Sequence, residues 1–153
     1  MKVLVIPEDP TYNGYILKPL VTRLFKSVGR GSAKITILTN PYARGLEMIK
    51  EKLPGILDRY RHFDIMLFVV DQDCKAGRAD ELAHIEILAS QAGVCMITCA
   101  AVTEIEAWLL AGHIAKLKSP WTEVRSDCQL KDSTLNRFST RMGTMAQAVD
   151  ENG

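Results

Sequence analysis

Four times along this chain a short apolar run gives way to a longer stretch of helical period, and that order leaves few folds open. Residues 2–7 form a β-rich run bounded by Pro7, Asp9 and Pro10. Ile16, Leu17, Leu20, Val21, Leu24, Phe25 and Val28 then recur at helical spacing over 15–28, and Gly29 and Gly31 are placed to close that helix. Residues 34–38 read as a second strand. Leu46, Ile49, Leu53, Ile56, Leu57 and Tyr60 mark a second helix, which Pro54-Gly55 is expected to kink or break. A third strand is predicted over 63–70, and Leu82, Ile85, Leu88, Ala89 and Ala92 give a third helix stopped by Gly93. A fourth strand over 94–98 leads to a fourth helix opened by Thr103, with Ile105, Trp108 and Leu109 on one side. Strand and helix repeated in this way predict a parallel sheet with right-handed crossovers and helices on both faces. The strands are nearly all apolar, as strands buried on both sides are.

After Lys118 the pattern fails. Residues 119–141 are rich in Ser, Thr, Asp, Arg and Lys, with apolar residues isolated at Trp121, Val124, Leu130, Leu135 and Phe138. A short helix is expected near 142–149. The reading is an α/β domain over 1–118 with a four-stranded parallel sheet, followed by a less regular C-terminal extension over 119–153.

With 153 residues, 47% of them hydrophobic and 24% charged, the chain suits one domain. A domain of that size buries about two-thirds of its unfolded surface. A net charge of +1 argues against a protein that coats nucleic acid by charge alone, though it allows a local basic patch. No apolar stretch approaches the roughly 20 residues that cross a bilayer, so no membrane partner is expected, and the amino terminus does not read as a signal peptide. Cys74, Cys95, Cys99 and Cys128 form no CxxC pair and no zinc-ligand spacing. Cys95 and Cys99 would share one face of a strand as small buried thiols. A reducing compartment, the cytoplasm, is the expectation. His62, His84 and His113 are scattered, without a ligand partner at useful spacing.

Three carboxylates carry the chemistry. Glu8 follows the first strand, and Asp71 and Asp73 follow the third. If both strands are parallel, all three emerge at the carboxyl edge of one sheet, where open α/β folds place their ligands. Asp71 and Asp73, two apart, share a face of an extended backbone. Such a cluster suits Mg²⁺, which takes one or two carboxylates and leaves the rest of its shell to water and substrate phosphate. The bland alternative is that the two aspartates end a strand and cap a helix. Lys75 and Arg78 beside them, and Arg44 after the second strand, are candidate phosphate-binding cations at the same edge. Thr103 and Glu106 have the spacing of a capping box. Glu104 lies in the same turn, and one of the two glutamates is placed to face the acidic cluster.

The string Asp71-Gln72-Asp73-Cys74-Lys75-Ala76-Gly77-Arg78-Ala79 resembles the second signature of toprim domains, found in bacterial primases, topoisomerases and old-type nucleases. Glu8 in Val5-Ile6-Pro7-Glu8 matches their first signature. The strand–helix order resembles their Rossmann-like core over about residues 1–117. One residue more than usual separates Asp73 from Ala76-Gly77, and Asp9 stands where many toprim domains have glycine; every carboxylate is kept. Glu104-Ile105-Glu106-Ala107-Trp108-Leu109-Leu110-Ala111 is similar to a Glu-x-Trp-Leu-Leu-Ala segment of small uncharacterised bacterial toprim-like proteins. The resemblance implies Mg²⁺ (or Mn²⁺) held by Asp71 and Asp73, Glu8 as general acid/base or ligand, and phosphodiester cleavage of DNA or RNA. A rival reading makes the chain a non-catalytic partner-binding module of a bacterial defence or toxin–antitoxin system, docking through Trp121 and Phe138 of the extension. A receiver-like domain, which also binds Mg²⁺ with acids, is disfavoured because no fifth strand with its lysine is evident.

Overall fold

The computed structural model of the chain describes residues 1–11, 13–130 and Ser133. Its elements run β1 (Lys2–Pro7), α1 (Asn13–Ser27), β2 (Lys34–Ile37), α2 (Leu46–Tyr60), β3 (Ile65–Asp71), α3 (Arg78–Gln91), β4 (Met96–Ala101), α4 (Glu106–Ala111) and α5 (Trp121–Val124). The four strands form one sheet in the order β2-β1-β3-β4, every pair parallel. Alternation along the strands divides the core. Leu4, Ile6, Met66, Phe68 and Val70 point to the face covered by α2 and α3, while Val3, Val5, Leu67 and Val69 pack against Leu17 and Val21 of α1 and against Ile105. The predicted α/β class, with four parallel strands and helices on both faces, is the observed one. Among the described residues, no helix is long and apolar enough to cross a membrane.

Two helices end as their glycines predict. Gly29 and Gly93 take positive φ (75° and 73°), and the following amides, of Arg30 and Val94, donate back to Phe25 O and Ala89 O at 2.7 and 2.9 Å. This is the Schellman pattern, which satisfies carbonyls left over at a helix end.

Elsewhere packing overrides the sequence reading. Helix α2 runs unbroken through Pro54. Leu46, Ile49, Leu53, Ile56 and Leu57 are buried on both sides of the proline. At about 1.5–3 kcal/mol each, these five outweigh the roughly 3 kcal/mol that an interior proline costs. On α1 the apolar face is narrower than its spacing suggests: Leu17 and Val21 are buried, whereas Leu24, and Val28 just past the helix, are exposed. Strand β4 begins and ends later than predicted because it pairs with β3 as far as Asp71 opposite Ala101. Cys95 therefore precedes the strand and is exposed, and Cys99 is half-buried. Leu109, placed with Ile105 and Trp108 on one side of the fourth helix, is exposed as well.

The start of the extension is packed, not loose. Val124 and Leu130 are buried with Ala107 and Leu110 of α4, and Leu117 and Trp121 lie against them. The most direct departure from the sequence reading is a disulfide between Cys74 and Cys128, with Cα atoms 6.0 Å apart. No spacing rule links two cysteines 54 residues apart, so the argument for a reducing compartment loses its footing. Leu135, Phe138 and the helix expected near 142–149 lie outside the described residues.

Candidate site at the carboxyl edge of β1 and β3

The chain leaves β1 for α1 and β2 on one side, and later leaves β3 for α3 and β4 on the other. The β1–β3 gap is therefore the topological switch point, where open α/β sheets form a crevice. Glu8 and Asp71 flank it. The Glu8 N–H donates to Val69 O at 3.0 Å, extending the parallel ladder one residue past β1, and Glu8 O accepts from Gly45 N–H at 2.8 Å. Both backbone groups being fixed, the Glu8 carboxylate reaches across the gap and accepts the Asp71 N–H at 3.0 Å. Burial raises the Glu8 carboxyl above its ordinary range. The Asp71 amide and the Arg78 guanidinium pull it back, while Asp71 and Asp73 push it further up.

Asp71 is the last residue of β3 and is buried, 7% exposed. Its Oδ1 accepts the Ile105 N–H at 2.7 Å, at the start of α4. Beyond it the loops after β3 and β4 close on one another, with Gln72 N–H donating to Ala101 O and Asp73 N–H to Thr103 O, both at 3.0 Å. Asp73 and Cys74 both adopt left-handed φ (50° and 53°). The Asp73 carboxylate pairs with Lys75 at 3.1 Å and with Arg78 at 3.5 Å.

The predicted capping box does not form. Thr103 takes a left-handed φ of 64°, its buried Oγ1 has no hydrogen-bond partner among the described residues, and the N-cap of α4 is Ile105. The physical reason is that Asp71, from the neighbouring strand, already takes the amide at this helix start. Glu106 is buried in the first turn of α4 and Glu104 is half-buried before it.

The three carboxylates thus share one sheet edge and supply the hard oxygen donors that Mg²⁺ takes. Each is also turned to its own protein donor. Among the described residues, no group of three or more His, Cys, Asp or Glu is arranged to hold a metal ion. A magnesium shell that is mostly water and phosphate needs only one or two of them.

The predicted cations are brought together. Arg44, Lys75 and Arg78 line an open cleft of about 650 Å³ beside Glu8, with Gly45, Met48 and Gly77. Arg44 holds Asp9 at 2.8 Å. Lys75 is well exposed, but Arg78 is only 6% exposed and bridges Asp73 and Glu81. Its Nε has no hydrogen-bond partner among the described residues. A buried guanidinium with a donor to spare at a cleft wall is a feature the sequence, which read Arg78 as one loop cation among three, did not single out.

No protein-family model, no curated protein and no solved structure matches the chain.

Proposed function

We propose that this protein is a toprim-like domain that binds Mg²⁺ or Mn²⁺ at the carboxyl edge of β1 and β3 and cleaves a phosphodiester of nucleic acid. The observation that most supports this reading is the Glu8–Asp71 contact across the switch point, with Asp73 two residues on and the three-cation cleft alongside. Glu8 and Asp73, with Asp71, are the residues that would hold the cation. Bound there, the cation would stabilise charge developing on the phosphate. Arg44, Lys75 and Arg78 would seat the phosphate backbone. A carboxyl held above its ordinary range, as Glu8 is by burial, stands closer to the pH at which it exchanges a proton, which suits an acid/base role. The test is divalent-dependent cleavage of single- and double-stranded DNA and RNA by the wild type and by Asp71→Asn. We expect the variant to lose about a hundredfold or more; full cleavage by the variant overturns the assignment.

One observation favours a second reading, the non-catalytic partner-binding module: Glu8 accepts from the Asp71 amide, Asp71 from Ile105, and Asp73 from Lys75. On that view the acids are structural. Manganese titration followed by electron paramagnetic resonance separates the two. Binding that Asp71→Asn, Asp73→Asn removes supports the enzyme, and no binding in either protein supports the module.

A further inference from the structure

We propose that Cys74 and Cys128 form a redox-cleavable latch that fixes the loop carrying Asp73. Its effect on cation binding rests on the metal-site reading above; the latch itself does not.

Gln72 to Lys75 make a tight turn closed by Lys75 N–H donating to Gln72 O at 3.0 Å, with two consecutive left-handed residues, Asp73 and Cys74, at its centre. Turns of that kind favour Asn-Gly, because most side chains resist a positive φ. Asp tolerates it; Cys gains nothing from it locally. Such a turn persists where its surroundings over-determine it, and here the surroundings close a ring. Cys74 is bonded to Cys128, and Val124 and Leu130, on either side of Cys128, are buried against Ala107 and Leu110 of α4. The Ile105 amide at the start of α4 returns to Asp71, three residues before Cys74.

Both cysteines of the bond are exposed, so a soluble dithiol can reach it. Exposed bridges are the ones most open to exchange. Of the two remaining thiols, Cys99 is half-buried, and burial and then Glu86 push its thiol up, which makes it a poor competitor in exchange. In the reducing step the Cys74–Cys128 S–S bond breaks. A dithiol supplies two electrons and two protons and becomes a cyclic disulfide, leaving two thiols on the protein. The bonded form holds the Asp73 carboxylate on Lys75 and Arg78. Reduction frees the turn to relax and the carboxylate to turn toward a cation.

The experiment compares the oxidised full chain, the same protein reduced with dithiothreitol, and Cys128→Ser. Alkylation after denaturation counts thiols: the oxidised protein takes up label at two cysteines and the reduced protein at four. Four in both, even after incubation with oxidised dithiothreitol, overturns the latch. Amide hydrogen exchange at Asp73 and Lys75 should quicken about tenfold on reduction, reflecting release of the strained turn. Cys128→Ser should match the reduced wild type and be indifferent to dithiothreitol. Unchanged exchange on reduction also overturns the proposal. Manganese should bind about tenfold more tightly to the reduced protein and to Cys128→Ser. If exchange quickens but manganese binds no form, the latch stands and the metal-site reading falls.

Discussion

Asp71 bears two loads with one carboxylate, an acid at the proposed site and a side-chain acceptor for the Ile105 amide at the start of α4. The two can be pulled apart. Asp71→Ala leaves the buried Ile105 amide without its acceptor and should cost about 1–3 kcal/mol, read as a lower denaturant midpoint. Asp71→Asn keeps an oxygen for that amide and should lose less than half as much, so activity lost in Asp71→Asn reports chemistry and not unfolding. Glu8 runs the other way. Its folded pKa is raised by burial, so its favourable contribution is complete below the ordinary carboxyl range and fades as pH rises through the raised value. Glu8→Gln keeps an oxygen for the Asp71 amide and removes the buried charge. We expect it to be as stable as the wild type or slightly more so at pH 7, by up to about 1 kcal/mol, with the gain vanishing in melts at pH 4. A less stable Glu8→Gln at both pH values contradicts this account. The positions of Glu8 and Asp71 at strand ends are plain in the sequence because strands declare their own ends. What each carboxylate touches is not, since Ile105 and Asp71 are 34 residues apart and meet only when β4 pairs with β3.

Among the described residues strand β4 is an edge of the sheet, and unpaired edges invite a second chain. Glu86 of α3 answers this at one point: its carboxylate accepts both the Thr98 N–H at 2.7 Å and the Thr98 hydroxyl at 2.8 Å. A main-chain donor facing outward is thereby occupied, and a negative charge is set against any incoming strand. Glu86→Ala should expose that donor and raise concentration-dependent self-association in sedimentation velocity, with little change in the monomer's circular dichroism. Equal sedimentation of variant and wild type would remove this role from Glu86. The alternation of β-rich and helical segments made the elements legible, and the glycines at 29 and 93 made two ends legible. Pro54 misled because a proline's local penalty is visible in sequence while the five buried side chains that outweigh it declare themselves only once the sheet is built. Thr103 misled for the same reason in reverse: the sequence offers a capping box, but Asp71, 34 positions before Ile105, accepts the amide at the helix start.

At the scale of the molecule, the sheet separates two large cores among the described residues, and a third small one ties α4 to the start of the extension. The disulfide links that third core to the acidic loop. In the chain-entropy account, closing a loop of this length stabilises a fold by about 4 kcal/mol, less where the native turn is strained. Reduction should therefore lower the unfolding free energy by about 2–4 kcal/mol in denaturant melts, and Cys74→Ser should reproduce the loss. A midpoint unmoved by reduction would mean that Val124 and Leu130 alone anchor the extension. The bond also divides the chain by tension. Pulled from its two ends, the oxidised protein carries force straight from Cys74 to Cys128, and α3, β4, α4 and α5 are shielded from it. The shielded segment spans 54 residue steps, roughly 190 Å of contour at about 3.5 Å each. An unfoldase gripping the amino end would strip β1, α1, β2, α2 and β3 in the ordinary way, then meet a closed loop that has to be dragged through double-file or reduced first.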